Sequence, residues 1–158
     1  MGAADNQRHA GIFNTHQTRT LMARRSRSRE VALQVLYQDD LNELQTAEDT
    51  ERFLRIRCRS DELTQFAASL VSGVRRNRSE LDALLDATAE NWSLDRMAAT
   101  DRNVLRLGAF EIIYTDTPGR VSINEAIELA KRYGTDNSAQ FVNGILDKLL
   151  QAHRGEVE

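Results

Sequence analysis

A chain of 158 residues, 41% apolar, is long enough for one domain and buries a real core, hiding roughly two-thirds of the surface its unfolded form exposes. One proline, eight glycines and 6% aromatics exclude collagen-like and low-complexity chains and argue against a turn-rich all-β protein. The net charge of −3 hides an asymmetry: residues 1–29 hold six arginines against one acid, Asp5, whereas the rest hold 15 basic and 23 acidic side chains, so a basic arm suited to a polyanion precedes an acidic body.

Residues 1–23 show no periodicity and are expected to be a disordered basic extension. They also lack the apolar stretch of a secretory signal, and no run approaches the ~20 apolar residues of a membrane span. The helical period starts at Ser28, with Val31, Ala32, Val35 and Leu36 on one face at about 100° per residue. Arg29, Leu33 and Tyr37 form an i, i+4, i+8 row almost opposite, so this helix either lies between neighbours or offers its second stripe to a partner, with Tyr37 expected to be partly exposed. A second helix is read over Thr46–Arg57, where Thr46 and Asp49 are spaced as a capping pair. Ser60 should cap a third, whose stripe is Leu63, Phe66, Ala67, Leu70, Val71 and Val74. Leu81, Leu84 and Leu85 predict a fourth.

Ser93 opens a short segment, and Thr100 is placed to cap a helix through Val104, Leu107, Ile112 and Tyr114. Thr115–Gly119 is the strongest turn signal. Ser122 and Glu125 then match a capping box ahead of Ile123, Ala126, Ile127 and Ala130, and Gly134 stands where a glycine ends a helix. The last helix is expected from about Asn137 to Leu150 with Val142, Ile145, Leu146 and Leu149 inward, Phe141 at the edge of that stripe, and residues 151–158 as a flexible tail. The predicted class is all-α, a bundle of six or seven short helices spanning residues 24–150.

Chemistry-bearing patterns are scarce. Histidines 9, 16 and 153 fall in the chain ends, where nothing holds a general base in place. The single cysteine, Cys58, has no partner for a disulfide or a zinc site, which predicts a reducing, cytoplasmic setting, and its thiol is expected to be buried and inert despite Arg57 and Arg59. No CxxC, HExxH, EF-hand, GxxxxGK[ST] or GxGxxG pattern occurs, and Glu125 and Glu128 read as surface partners of Lys131 and Arg132. No metal, no cofactor and no catalytic activity are expected. What remains is Arg24-Arg25-Ser26-Arg27-Ser28-Arg29, an arginine-rich segment of the kind that orders on RNA, with serines that can also bond phosphate.

Two separated stretches carry a family resemblance. Arg24-Arg25-x-x-x-Arg29-Glu30-x-Ala32-x-Gln34-x-Leu36-Tyr37 opens it. Val121-Ser-Ile-Asn-Glu-Ala-Ile-Glu-Leu-Ala-Lys131, then Gly134, then Phe141-Val-Asn-Gly-Ile-Leu-Asp-Lys148 closes it, with Val104-Leu-Arg-Leu-x-x-Phe110-Glu between. The pattern resembles the NusB family of bacterial transcription antitermination factors. The resemblance implies two three-helix subdomains and binding of the single-stranded boxA RNA of rRNA operon leaders. It also implies the ribosomal protein NusE as partner, within an RNA polymerase antitermination complex. By the same resemblance Arg24, Arg25, Arg27, Arg29, Gln140 and Phe141 would face RNA, and Tyr37 and Asp101 would lie at the NusE surface. The chain departs from the pattern where Ser26 and Ser28 break the basic run; residues 1–23 and 39–59 find no match. Two alternatives stand beside it: an accessory module related to rRNA methyltransferases, and a homodimer with its arm sequestered at the interface.

Overall fold

The computed structural model describes residues 4–42 and 45–157, with side chains described from residue 21 to 154 except at 23, 43 and 44. The side chains of His9 and His16 lie outside the described residues. Among the described residues seven α-helices and one 3-10 turn follow in chain order: α1 (Ala4–Leu41), α2 (Ala47–Arg57), α3 (Asp61–Arg76), α4 (Arg78–Thr88), the 3-10 turn (Leu94–Arg96), α5 (Ala99–Tyr114), α6 (Gly119–Tyr133) and α7 (Ser138–Val157). Among the described residues there is no strand, and no helix is long and apolar enough to cross a membrane.

Helices α1, α2 and α3 pack as one group and α5, α6 and α7 as a second, with α4 laid over α5 and α7. The stripes expected from periodicity face inward. Val31, Ala32, Val35 and Leu36 of α1, Leu70 and Val74 of α3, Ile123 and Ala126 of α6, and Val142, Ile145, Leu146 and Leu149 of α7 are all buried, Leu70 to 1% exposure. Leu84 is the exception: it is exposed while Leu81 and Leu85 are buried, because α4 needs only one face against its neighbours.

Helix α5 is the centre. It touches α1, α3, α4, α6 and α7, and every residue from Asn103 to Ile112 is buried. Such a helix is wet on no side, so its polar members must be paired. Asn103, Arg106 and Glu111 are those members, and they receive both ends of the α1 core segment: Arg29 bonds Glu111, and Asp40 bonds Asn103 and Arg106. The two helices therefore run antiparallel. Gly73 of α3 lets the Phe110 ring of α5 lie against its backbone, and a methyl group there would overlap that ring.

Several local expectations change. Residues 4–23 continue α1, and residues 151–157 continue α7, where disorder was expected at both ends. No proline interrupts either segment, and adding a residue to an existing helix needs no new nucleus. Thr46 and Ser60 cap as read, their hydroxyls accepting from the Asp49 and Leu63 N–H groups at 3.1 and 3.2 Å. Thr100 does not cap α5, which opens two residues earlier than that cap would allow, at Ala99 after Ala98. The Ser122–Glu125 capping box is absent, because α6 already starts at Gly119 behind Pro118, whose fixed φ suits a helix entrance. Ser122 is instead buried with its hydroxyl on the Pro118 carbonyl. Gly134 does end α6, but at φ −94°, not in the left-handed region. A side chain at Gly134 would meet Ser138 and the Ala130 carbonyl, so close approach excludes one.

Candidate nucleic-acid interface

The arginine run lies within α1, and the helical period sorts it by face. Arg24 is exposed and makes no ion pair among the described residues. Arg27 is exposed and pairs with Glu30 at 2.9 Å, an i, i+3 surface bridge worth little. Arg25 and Arg29, four residues apart, turn instead toward α3 and stack over the Phe66 ring at 4.7 and 5.2 Å. Arg29 is only 3% exposed; its Nε and Nη2 donate to the Glu111 carboxylate at 2.7–3.1 Å, and Nη1 lies 3.9 Å from Glu125. The structure thus removes Arg29 from the expected RNA-facing set, because a guanidinium closed by two carboxylates has no edge left for phosphate.

The serines are also taken. Ser26 Oγ lies 2.9 Å from both Glu125 oxygens, and Ser28 is buried and donates to the Leu63 carbonyl. Neither is free for phosphate. Glu125 faces Ser26 and Arg29, and Arg132 reaches across to Glu30, so of the expected α6 surface pairs Glu128–Lys131 is the one that forms, at 3.5 Å. Cys58 is buried, burial pushes its thiol up against the opposing pull of Ser28 and Arg27, and it stays protonated and inert.

The other end of the α1 core segment carries an arrangement that motif reading missed. Asp39 accepts two bonds at 2.8 Å from Arg75 of α3. Asp40, its side chain 3% exposed, accepts from Arg78 at 2.6 Å, Arg102 at 2.9 Å, Asn103 at 2.8 Å and Arg106 at 2.9–3.0 Å. Burial pushes the Asp40 carboxyl up, but the bonds from Arg102, Asn103 and Arg106 outweigh it and hold the carboxyl below its ordinary value. A signal was present in the sequence: two acids in the last turn of a helix oppose its dipole and need cations from elsewhere.

This hub positions two surfaces. Tyr37, one turn before Asp40, is 38% exposed as expected and lines a groove with Leu41, Phe53, Arg57, Thr100 and Tyr133. Leu33 of the same row is buried, so the second α1 stripe is internal at one end and open at the other. Arg102, held by Asp40, also donates to the Leu94 and Met97 carbonyls at 3.2 Å, which pins the 3-10 turn beside Trp92. Trp92 meets Phe141 of α7 edge to face, with ring centroids 5.9 Å apart. Phe141 packs against the core edge while remaining partly accessible, and Gln140 beside it is exposed. Asp101 lines the cleft that Phe141 and Trp92 form, whereas Thr100 next to it lines the Tyr37 groove. The start of α5 therefore borders both surfaces, Thr100 on the Tyr37 groove and Asp101 on the cleft with Phe141.

Known proteins share this sequence and fold. The family described as "NusB family" matches residues 26–151. The transcription antitermination protein NusB of Anaeromyxobacter dehalogenans is 46% identical over 141 residues, covering 86% of this chain and 99% of the relative. Among solved structures, the NusB of T. maritima superposes with TM-score 0.75 at 38% identity, covering 82% of this chain and 92% of that one. A complex of antitermination factors NusB and NusE with double-stranded RNA contains a chain that superposes with TM-score 0.73 at 30% identity, covering 83% and 98%. With the match running from the arginine segment through α7, the chain belongs to the NusB family.

Proposed function

We propose that this protein is a transcription antitermination factor. It binds single-stranded boxA RNA of rRNA operon leaders together with NusE, and supports read-through by RNA polymerase in the cytoplasm. Family membership over residues 26–151 is the observation that carries this reading. Its action is binding rather than catalysis.

The geometry supports a division of labour. Arg24 and Arg27 point outward from α1, Arg25 is half-buried over Phe66, and these three supply charge to the phosphates. Gln140 and Phe141 supply contacts to unpaired bases at the start of α7. Tyr37, an amphipathic ring with an open groove beside it, receives NusE. Asp101 stands at the border of the two surfaces.

Binding of a boxA oligoribonucleotide, measured across a salt series with and without NusE and against scrambled and duplex controls, tests the reading. Single-stranded binding loses roughly 0.7 of a log unit per log unit of salt for each phosphate neutralised. Replacing Arg24, Arg25 and Arg27 with alanine flattens that slope and weakens all sequences alike, whereas Arg29→Ala acts through folding. An unchanged slope removes the arm from the interface.

A further inference from the structure

We infer that the arginine-rich end of α2 is a second phosphate-binding surface, which takes single-stranded RNA flanking the boxA element. The inference rests on the RNA-binding reading above and lengthens the RNA path, but none of its residues belongs to the RNA-facing set named there. Residues 52–59 read Arg-Phe-Leu-Arg-Ile-Arg-Cys-Arg, four arginines and no acid, within a body that is acidic as a whole. Cations in the last turn offset the helix dipole, and Arg55 and Arg57 suffice for that. Arg52 and Arg59 are surplus to it. All four arginines are exposed. Arg55 is drawn to Glu51 at 2.8 Å and to Asp61 at 3.4 Å, whereas Arg52, Arg57 and Arg59 make no ion pair among the described residues. The cluster at Arg75, Arg76 and Arg78 differs, because Asp39 closes Arg75 and Asp40 closes Arg78.

Packing brings this cluster to the basic arm. Cys58, which ends α2, is buried with Ser28 beside its thiol and the Arg27 charge within reach. Arg57 and Arg59 flank Cys58 in the chain, so the end of α2 adjoins the arm of α1. Arg57 also stacks over Phe53 at 3.6 Å and borders the Tyr37 groove. Stacking holds a guanidinium by its face and leaves its N–H edge for phosphate. The chemistry of the cluster selects the occupant. A protein partner needs an apolar centre inside a charged rim, and Ile56, 75% exposed, is the one large apolar side chain that α2 leaves exposed. One such residue is too few. An unpaired RNA strand needs a row of cations along its backbone, continuous with the place where it is already held.

The test compares a short boxA oligoribonucleotide with versions lengthened by a run of unpaired uridines at one end or the other, each titrated into the full chain across a salt series. One of the two extensions should tighten binding about 3- to 10-fold and steepen the salt slope by about 1.4, as two phosphates at roughly 0.7 each require. The double variant Arg52→Ala, Arg59→Ala spares Arg57 and the Tyr37 groove. It should lose both the gain and the added slope, bind the short boxA RNA as the parent does, and melt at the parent's temperature. Lysine at the same two positions, which keeps the charge, should restore the gain. No gain from either extension, or a gain that survives in the double variant, overturns the α2 surface and leaves the RNA-binding reading standing. Weaker binding of NusE by the double variant in the absence of RNA gives these arginines to a protein and also overturns it. Failure of the parent to bind the short boxA RNA at all overturns both.

Discussion

Arg29 and Asp40 sit on the same helix, and both end on α5, yet their neighbourhoods are opposite in sign and alike in fate. Around Arg29 the chain is arginine-rich, and the inward members of that cluster are closed by Glu111, Glu125 and the Phe66 ring. Around Asp40 the local acids are closed by four arginines from α3, α4 and α5. One end still keeps outward charge, at Arg24 and Arg27, and the other keeps an outward aromatic, at Tyr37. Charge density along the sequence therefore marks where an ion network forms, and the facing helix decides which charges are structural and which stay available. The two networks act as rivets: one orients the arm, and the other orients Tyr37, the start of α5 and the Trp92 turn.

The comparison breaks most easily by deleting one partner. Arg29→Ala strands the Glu111 carboxylate in the core and should cost about 3–5 kcal/mol in denaturant unfolding; Asp40→Ala removes the acceptor shared by Arg102, Asn103 and Arg106 and should cost less, because Arg106 keeps its pair with Asp82. Arg24→Ala, on the outward face of the same helix, should stay within about 0.5 kcal/mol. If Arg29→Ala proves as mild as Arg24→Ala, the sorting by face is wrong.

Acid sharpens the contrast with a smaller effect. The Asp40 carboxyl is held below its ordinary value of 3.8, so in acid the unfolded chain binds this proton before the folded one does. Its contribution is fully present above about pH 4 and is lost as pH falls through the folded value. The melting temperature should drop in that range. Asp40→Asn, already less stable at neutral pH, should show a shallower drop; an identical acid slope in the two proteins would remove Asp40 from the acid transition.

The smallest stability change belongs to the exposed aromatic. Tyr37→Ala should weaken NusE binding while shifting unfolding by no more than about 0.5 kcal/mol, since the ring is 38% exposed. A large fall in melting temperature would make Tyr37 a packing residue and erase the difference between the two stripes of α1.

By itself the sequence determined the helical class, the inward stripes of α1, α3, α6 and α7, the Thr46 and Ser60 caps, the core-edge position of Phe141 and the family. Each of these depends on spacing within a few residues, which the 3.6-residue period makes readable. The Ser122–Glu125 box satisfied the same local rule and failed, because Pro118 starts the helix a turn earlier and the buried Ser122 hydroxyl donates to the Pro118 carbonyl. Only the tertiary structure decided the fate of Arg29, the closure of Asp40, and the meeting of Trp92, Asp101 and Phe141. Those partners stand far apart in sequence: Arg29 and Glu111 are 82 residues apart, Asp40 and Arg106 are 66. A charge carries no mark of which distant helix will face it, and a buried ion pair is legible only once the backbone has brought both members out of water together.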